Sequence, residues 1–252
     1  MNPAANRAIL DLAENGRLTA TSCLVDGPFF QDGALPLRET ALQKGLHLNF
    51  TDDFGQPGVH QPLKTLIRNA YLRRLDTASV RNEIVRQLDR FESVMGVTPD
   101  YVDGHLHVHQ LPQIRDELFA ELGQRYAGKT GFWVRSTVVR SQPSLPWGLR
   151  LKARIIQQLG ARALLRLARE QGFETNGGFL GVYNFKGGAD VYGKYLASWL
   201  QVAQPGDVLM CHPERFHPED TQLDPQRNAE FDVLMEDAFM RQLQRHGLRM
   251  RV

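Results

Sequence analysis

Two short runs restrict this chain more than any other feature: Gly45-Leu46-His47-Leu48-Asn49-Phe50 and Asp103-Gly104-His105-Leu106-His107-Val108-His109. Both alternate in the period of a β-strand, in which successive side chains point to opposite faces. Asp103, His105, His107 and His109 then share one face, with Val102, Leu106 and Val108 on the other. His47 and Asn49 likewise face away from Leu46, Leu48 and Phe50. One face carries chemistry and the other enters a core, so two such strands side by side make a site.

Helices are expected between the strands. Asn2 as N-cap and Pro3 at the first helical position predict a helix over 3–15, ended by Gly16. A strand over 18–25, a short helical stretch near 37–43 and the His47 strand follow. Val80, Ile84, Leu88, Phe91 and Met95 fall at helical spacing before Gly96 and Pro99. Next come a strand over 101–107, a helix over 112–126, a β-branched and aromatic strand over 132–139 and a helical region over 146–172. The C-terminal part reads as helix 189–203, strand 207–211, helix 228–246 and a last strand 248–252. Such alternation calls for parallel strands, right-handed crossovers and an α/β barrel or open sheet with its chemistry at the strand C-termini. His47, His105 and His212 all fall near such ends.

At 252 residues with 42% hydrophobic content, the chain can bury the core of one large domain spanning 1–252. The net charge of +2 leaves no electrostatic footprint for nucleic acid. The densest basic cluster, Arg150, Lys152, Arg154, Arg162, Arg166 and Arg169, reads as a solvated helix face. Cys23 and Cys211 lie far apart without CxxC spacing, so a reducing, cytoplasmic setting without a disulfide is expected. No stretch approaches 18 apolar residues and the N-terminus lacks the pattern of a signal peptide, so no membrane partner is expected.

Three segments, Gly45-Leu46-His47-Leu48-Asn49, Asp103-Gly104-His105-Leu106-His107-Val108-His109 and Met210-Cys211-His212-Pro213, resemble the YdjC-like carbohydrate deacetylases in order and spacing. The likeness extends over nearly the whole chain. It implies a distorted (β/α) barrel, a divalent metal ion and removal of acetyl groups from N-acetylated sugars such as chitooligosaccharides. It places metal ligands at His47 and His105. Magnesium is implied by the resemblance alone, while a mixed histidine and carboxylate site also suits zinc. The family's first strand carries an Asp-Asp pair in an Asn-Ala-Asp-Asp-Phe-Gly-like segment, which has no counterpart ahead of the first helix here. The expected fold is therefore a parallel barrel with its first strand missing, whose unpaired edges offer a route to a homo-oligomer. Thr51-Asp52-Asp53-Phe54-Gly55 repeats the letters of that motif but follows the His47 strand, and reads as a decoy.

Amide hydrolysis needs an activated water, a polarised carbonyl and a proton for the departing amine, and a metal on imidazoles and a carboxylate supplies the first two. His212 is the candidate general acid. Asp103 either orients a ligand, stands in for the missing carboxylate or fixes the strand end by hydrogen bonding. His107 and His109 are candidates for outer partners of the metal ligands or for substrate contacts, with a purely structural role equally weighted. Arg135 is placed to reach substrate or a carboxylate. Phe179 or Tyr183 either stacks on a pyranose face or is a core aromatic. Two other readings stay open: a non-catalytic or impaired homologue that keeps a sugar groove, and a metal-dependent hydrolase of another bond such as a phosphoester.

Overall fold

Asn2 does open the first helix: its side chain accepts the Ala5 N–H at 2.7 Å, and α1 runs Pro3–Glu14. A computed structural model describes residues 2–55, 58–218, 220 and 224–250. After α1 come β1 (Ala20–Cys23), α2 (Phe30–Arg38), β2 (Gln43–Leu48), α3 (Leu63–Tyr71), α4 (Thr77–Met95) and β3 (Tyr101–Gly104). A 3-10 segment, His105–Gln110, leads to α5 (Ile114–Tyr126), β4 (Trp133–Val134), α6 (Trp147–Gln158), α7 (Ala161–Glu170) and β5 (Glu174–Thr175). The remainder is β6 (Phe179–Leu180), α8 (Gly188–Val202), β7 (Val208–Leu209), α9 (Pro225–Met235) and α10 (Asp237–Arg245).

The parallel α/β architecture expected from the alternation is the one observed. Strands β1 to β5 form a five-stranded parallel sheet in chain order, and β6 pairs with β7. A parallel bridge between Val139 and Phe179 links the two sheets. Among the described residues the five-stranded sheet does not close into a ring, and its edges are β1 and β5.

Register decides where the chemistry sits. Leu46 lies opposite Val102 and His47 opposite Asp103, so both strands turn their apolar residues into the same core. A slip of one residue would send that core set to the wrong face. Leu46, Leu48 and Val102 are fully buried against Ile84, Leu88 and Phe91 of α4 and Leu118 and Phe119 of α5. Each such side chain contributes about 1.5–3 kcal/mol of burial. A second core joins Tyr192, Leu196 and Trp199 of α8 to Val233, Leu234 and Phe239 of α9 and α10.

Five expectations need correction, the first being the helix expected over 228–246, which is α9 and α10 broken at Glu236. The helix expected near 37–43 is α2, begun earlier because Phe30, Ala34 and Leu37 pack inward at helical spacing, with Pro36 tolerated inside it. The strand expected over 101–107 stops at Gly104. The helical region over 146–172 is two helices, broken at Gly160 with φ +132°. No strand forms over 248–250, and 251–252 lie outside the described residues.

Gly160 is required twice over. A Cβ there would stand 2.0 Å from the Gln110 carbonyl oxygen, besides occupying a backbone conformation that costs an L-residue about 1–3 kcal/mol. Gly160→Ala is expected to lower stability by about 2 kcal/mol or more in urea unfolding, and an unchanged midpoint would contradict this.

Candidate metal and catalytic site

Asp103 ends β3 beside His47 of β2, and it is 1% exposed. His47 Nδ1 lies 2.6 Å from Asp103 Oδ1, the Ser22 hydroxyl donates to Oδ2 at 2.9 Å, and Arg135 pairs with Oδ2. Burial works against the carboxylate's charge, but Arg135 and His47 outweigh it and hold Asp103 ionised far below the usual range. An ionised acceptor on Nδ1 selects the tautomer with the proton there and leaves Nε2 of His47 bare. Both oxygens of Asp103 are taken, so it orients His47 rather than serving as a ligand itself.

Beyond Gly104 the chain leaves strand geometry, with Leu106 and His107 at φ 49° and 62°. The alternation read from sequence therefore ends at Gly104. Leu106 is 45% exposed rather than in the core, and His109 is fully buried rather than turned to substrate. Left-handed backbone costs non-glycine residues about 1–3 kcal/mol each and persists only when surroundings enforce it. Arg135 does so, donating to Gly104 O at 2.8 Å and to His107 Nδ1 at 3.2 Å. His109 Nε2 donates in turn to Arg135 O at 2.8 Å. Phe179 is fully buried, 5.4 Å from the His107 ring and 5.5 Å from the Arg135 guanidinium, so it packs beneath the site and offers no open face to a pyranose. Arg135 meets the carboxylate expected of it, not the solvent-facing groove.

His105 stands beside His47, ring centroids 5.5 Å apart and edge to face. Its Nε2 lies 3.2 Å from Asp52 Oδ2, so the segment read as a decoy reaches His105. The cause is local. Asn49 accepts the backbone N–H groups of Thr51 and Asp52 at 3.0 Å and donates to Asp52 O at 2.7 Å, folding a tight turn that returns Asp52 to the strand end. Gln87 holds that turn by pairing with both backbone groups of Asn49 at 2.8 and 2.6 Å. An asparagine just past the strand was the sequence signal for it.

His212 follows β7. The charges of Arg227, His47, Arg135 and His105 add to burial in pushing its pKa to about 3, so the ring rests neutral. Burial and His47 push His105 to about 4. The His212 backbone N–H donates to Glu230 Oε2 at 2.6 Å, and the Tyr183 hydroxyl donates to the other carboxyl oxygen. Glu230 is fully buried, and desolvation raises its pKa to about 7. Its folded value thus exceeds the unfolded one near 4.5, so its contribution to stability is greatest below pH 4.5 and fades as pH climbs through 7. The melting temperature of the wild type, relative to Glu230→Gln, is expected to fall between pH 5 and 8. A flat difference would contradict that.

Among the described residues, Asp26, His60 and Glu83 form a group of metal-binding type with ligand atoms within 4.8 Å of one another. Arg86 already forks onto Asp26 at 2.8 Å and onto Glu83 at 2.5 and 3.0 Å. A guanidinium therefore occupies the place of the cation. The His47–His105–Asp52 set is looser, yet its carboxylate-oriented imidazole with a bare Nε2 has the outer hydrogen bonding that metal-bound histidines require. Its two imidazoles and one carboxylate are donor types that suit a divalent ion, and their ligand atoms do not all lie within 4.8 Å of one another. Among the described residues no helix is long and apolar enough to cross a membrane.

A profile of the YdjC-like protein family matches residues 1–245. A mouse (Mus musculus) carbohydrate deacetylase is 32% identical over 139 residues, 49% of this chain and 44% of that protein. A chitooligosaccharide deacetylase of Yersinia pestis (strain Pestoides F) is 32% identical over 119 residues, 43% of this chain and 46% of that protein. Both matches thus span less than half of the curated relatives. The crystal structure of a protein from Enterococcus faecalis V583, named for cellobiose-phosphate cleavage, superposes with a TM-score of 0.68 at 18% identity, covering 99% of this chain and 92% of that one. That likeness speaks for the fold. With nearly its full length matched by one family profile, and the histidine strands set as described, the chain belongs to the YdjC-like family.

Proposed function

We propose that this chain removes acetyl groups from N-acetylated sugars or oligosaccharides in the cytoplasm, acting as one domain. The observation that carries the reading is the pair His47 and His105 at adjacent strand ends, one oriented by a buried carboxylate and the other touching Asp52. The relatives named for carbohydrate and chitooligosaccharide deacetylation support the reaction class.

A divalent ion, zinc or magnesium, held by His47 Nε2, His105 and Asp52, would supply carbonyl polarisation and a more acidic water. The chain's own groups do the rest. Asp103 keeps the proton on His47 Nδ1, and Arg135 keeps Asp103 charged. His212 starts as a neutral imidazole, able to take the proton released as water adds to the amide carbon. It then returns that proton to the amine nitrogen as the C–N bond breaks, yielding acetate and the free amino sugar. Glu230 and Tyr183 fix the backbone from which His212 acts.

The test is acetate release from N,N′-diacetylchitobiose with zinc or magnesium supplied. His105→Ala is expected to abolish release and metal uptake, and undiminished release would overturn the site. Asp103→Asn leaves the buried Arg135 charge unpaired, so it is expected to lower the melting temperature and, in the folded protein, to lower metal affinity or turnover about 10- to 100-fold. Phosphate release from a phosphorylated sugar with no acetate would favour hydrolysis of another bond.

A further inference from the structure

The basic helix face is more than a solvated one. Residues 147 to 169 hold six basic side chains and no acidic one, in a chain whose net charge is +2. A surface helix needs one apolar stripe, turned to the core; α6 has two. Leu149 and Ala153 are buried, while Trp147, Leu151 and Ile155, four residues apart, are 69%, 40% and 54% exposed. Tyr71 and Leu72 at the end of α3, also exposed, continue this patch, with the Tyr71 hydroxyl 3.4 Å from Gln158 O. These five are half of the ten large apolar side chains exposed among the described residues.

Lys152 and Arg166 of this face are committed, to Tyr183 O and to Glu170, but the arginines beside the exposed apolar residues are not. Arg135, Arg140 and Arg86 are spent on Asp103, Asp207 and Asp26. Arg150, Arg154 and Arg162 form no ion pair among the described residues, and Arg150 Nε is buried with no hydrogen-bond partner. Together with Trp147 and Leu151 they line a groove of about 660 Å³.

We propose that α6, α7 and the end of α3 dock the chain onto an anionic lipid surface, with Trp147, Leu151 and Ile155 entering the headgroup boundary and Arg150, Arg154 and Arg162 taking lipid phosphates. Tryptophan and aliphatic side chains flanked by arginine are the composition of helices that lie in a bilayer interface. Anionic headgroups complement the arginines of α6 and the start of α7, a stretch with no carboxylate before Glu170 at the end of α7. Such docking needs no spanning helix, so the sequence argument against a membrane partner does not reach it. Helix α6 is tied to segments that adjoin the site: Gln110, next to His109, donates Nε2 to Ile156 O at 2.8 Å, and Lys152 Nζ donates to Tyr183 O at 2.5 Å. The proposal does not depend on the deacetylase reading.

The experiment is co-sedimentation of the full chain with vesicles of phosphatidylcholine alone or with about one-third phosphatidylglycerol, at about 0.1 M and 0.5 M salt. Binding is expected with the anionic vesicles at low salt, little with the neutral ones, and release at high salt. Two variants keep the test sharp, the first altering exposed positions and the second two exposed arginines and the half-buried Arg150: Trp147→Ser with Leu151→Ser and Ile155→Ser, and Arg150→Gln with Arg154→Gln and Arg162→Gln. Each is expected to keep the wild-type circular dichroism and to weaken binding about tenfold or more. Absence of binding, equal binding to neutral vesicles, or undiminished binding by both variants overturns the proposal. So does binding to polyglutamate without binding to vesicles, which assigns the face to an acidic protein, or a dimer that the serine variant dissociates.

Discussion

A carboxylate taken out of water at a strand end costs several kcal/mol of hydration, and leaving it unpaired would be strongly destabilising. Asp103 is in that position, and much of the site follows from how its charge is met. The Arg135 guanidinium lies on one oxygen, the His47 imidazole on the other, and Ser22 closes the remaining approach. Each partner is then fixed by the same requirement. Arg135 is held in the core, 5% exposed, and from there reaches the Gly104 carbonyl and His107. His47 cannot turn without leaving Oδ1 of the buried carboxylate unpartnered. The sheet register that sets His47 opposite Asp103 is thus a chemical constraint as well as a packing one.

The strained segment after β3 belongs to the same balance. Leu106 and His107 adopt left-handed backbone because Arg135 grips the chain on both sides of them. The turn brings His105 against His47 and sends His109 down into the core, where it donates to the Arg135 carbonyl. Strain in the backbone is offset by hydrogen bonds to a cation that the Asp103 carboxylate has already anchored. On the far side, Glu230 performs a related task for His212, but as a buried acid with a raised pKa instead of a paired anion. The two halves of the site are therefore stabilised by opposite electrostatic means.

The sequence carried the architecture well where period and punctuation agree. The N-cap at Asn2, the helix ended by Gly96 and the strands around His47 and Tyr101 were all legible, as was the adjacency of the two histidine strands. It failed where tertiary contacts override a local pattern. Alternation continues through His109 in the letters, but the Arg135 grip that ends the strand at Gly104 comes from residues 31 positions away. The approach of Asp52 to His105 was not legible because it depends on the Asn49 turn. Phe179 and His109 carried the right composition for substrate contact, yet their burial depends on packing that no single segment records. The basic run of α6 and α7 was visible, but the outward direction of Trp147, Leu151 and Ile155 was not.

The claim on which the account rests is that Asp103 holds the proton of His47 on Nδ1 and leaves Nε2 bare. A long-range proton–nitrogen spectrum of ring-labelled, metal-free protein at pH 8, with His47 assigned by comparison with His47→Gln, reads that directly. The account predicts a neutral His47 ring protonated at Nδ1, with an unprotonated nitrogen shift at Nε2. A proton on Nε2 would contradict it, because the imidazole would then be unable to ligate and the buried carboxylate would not be setting the site.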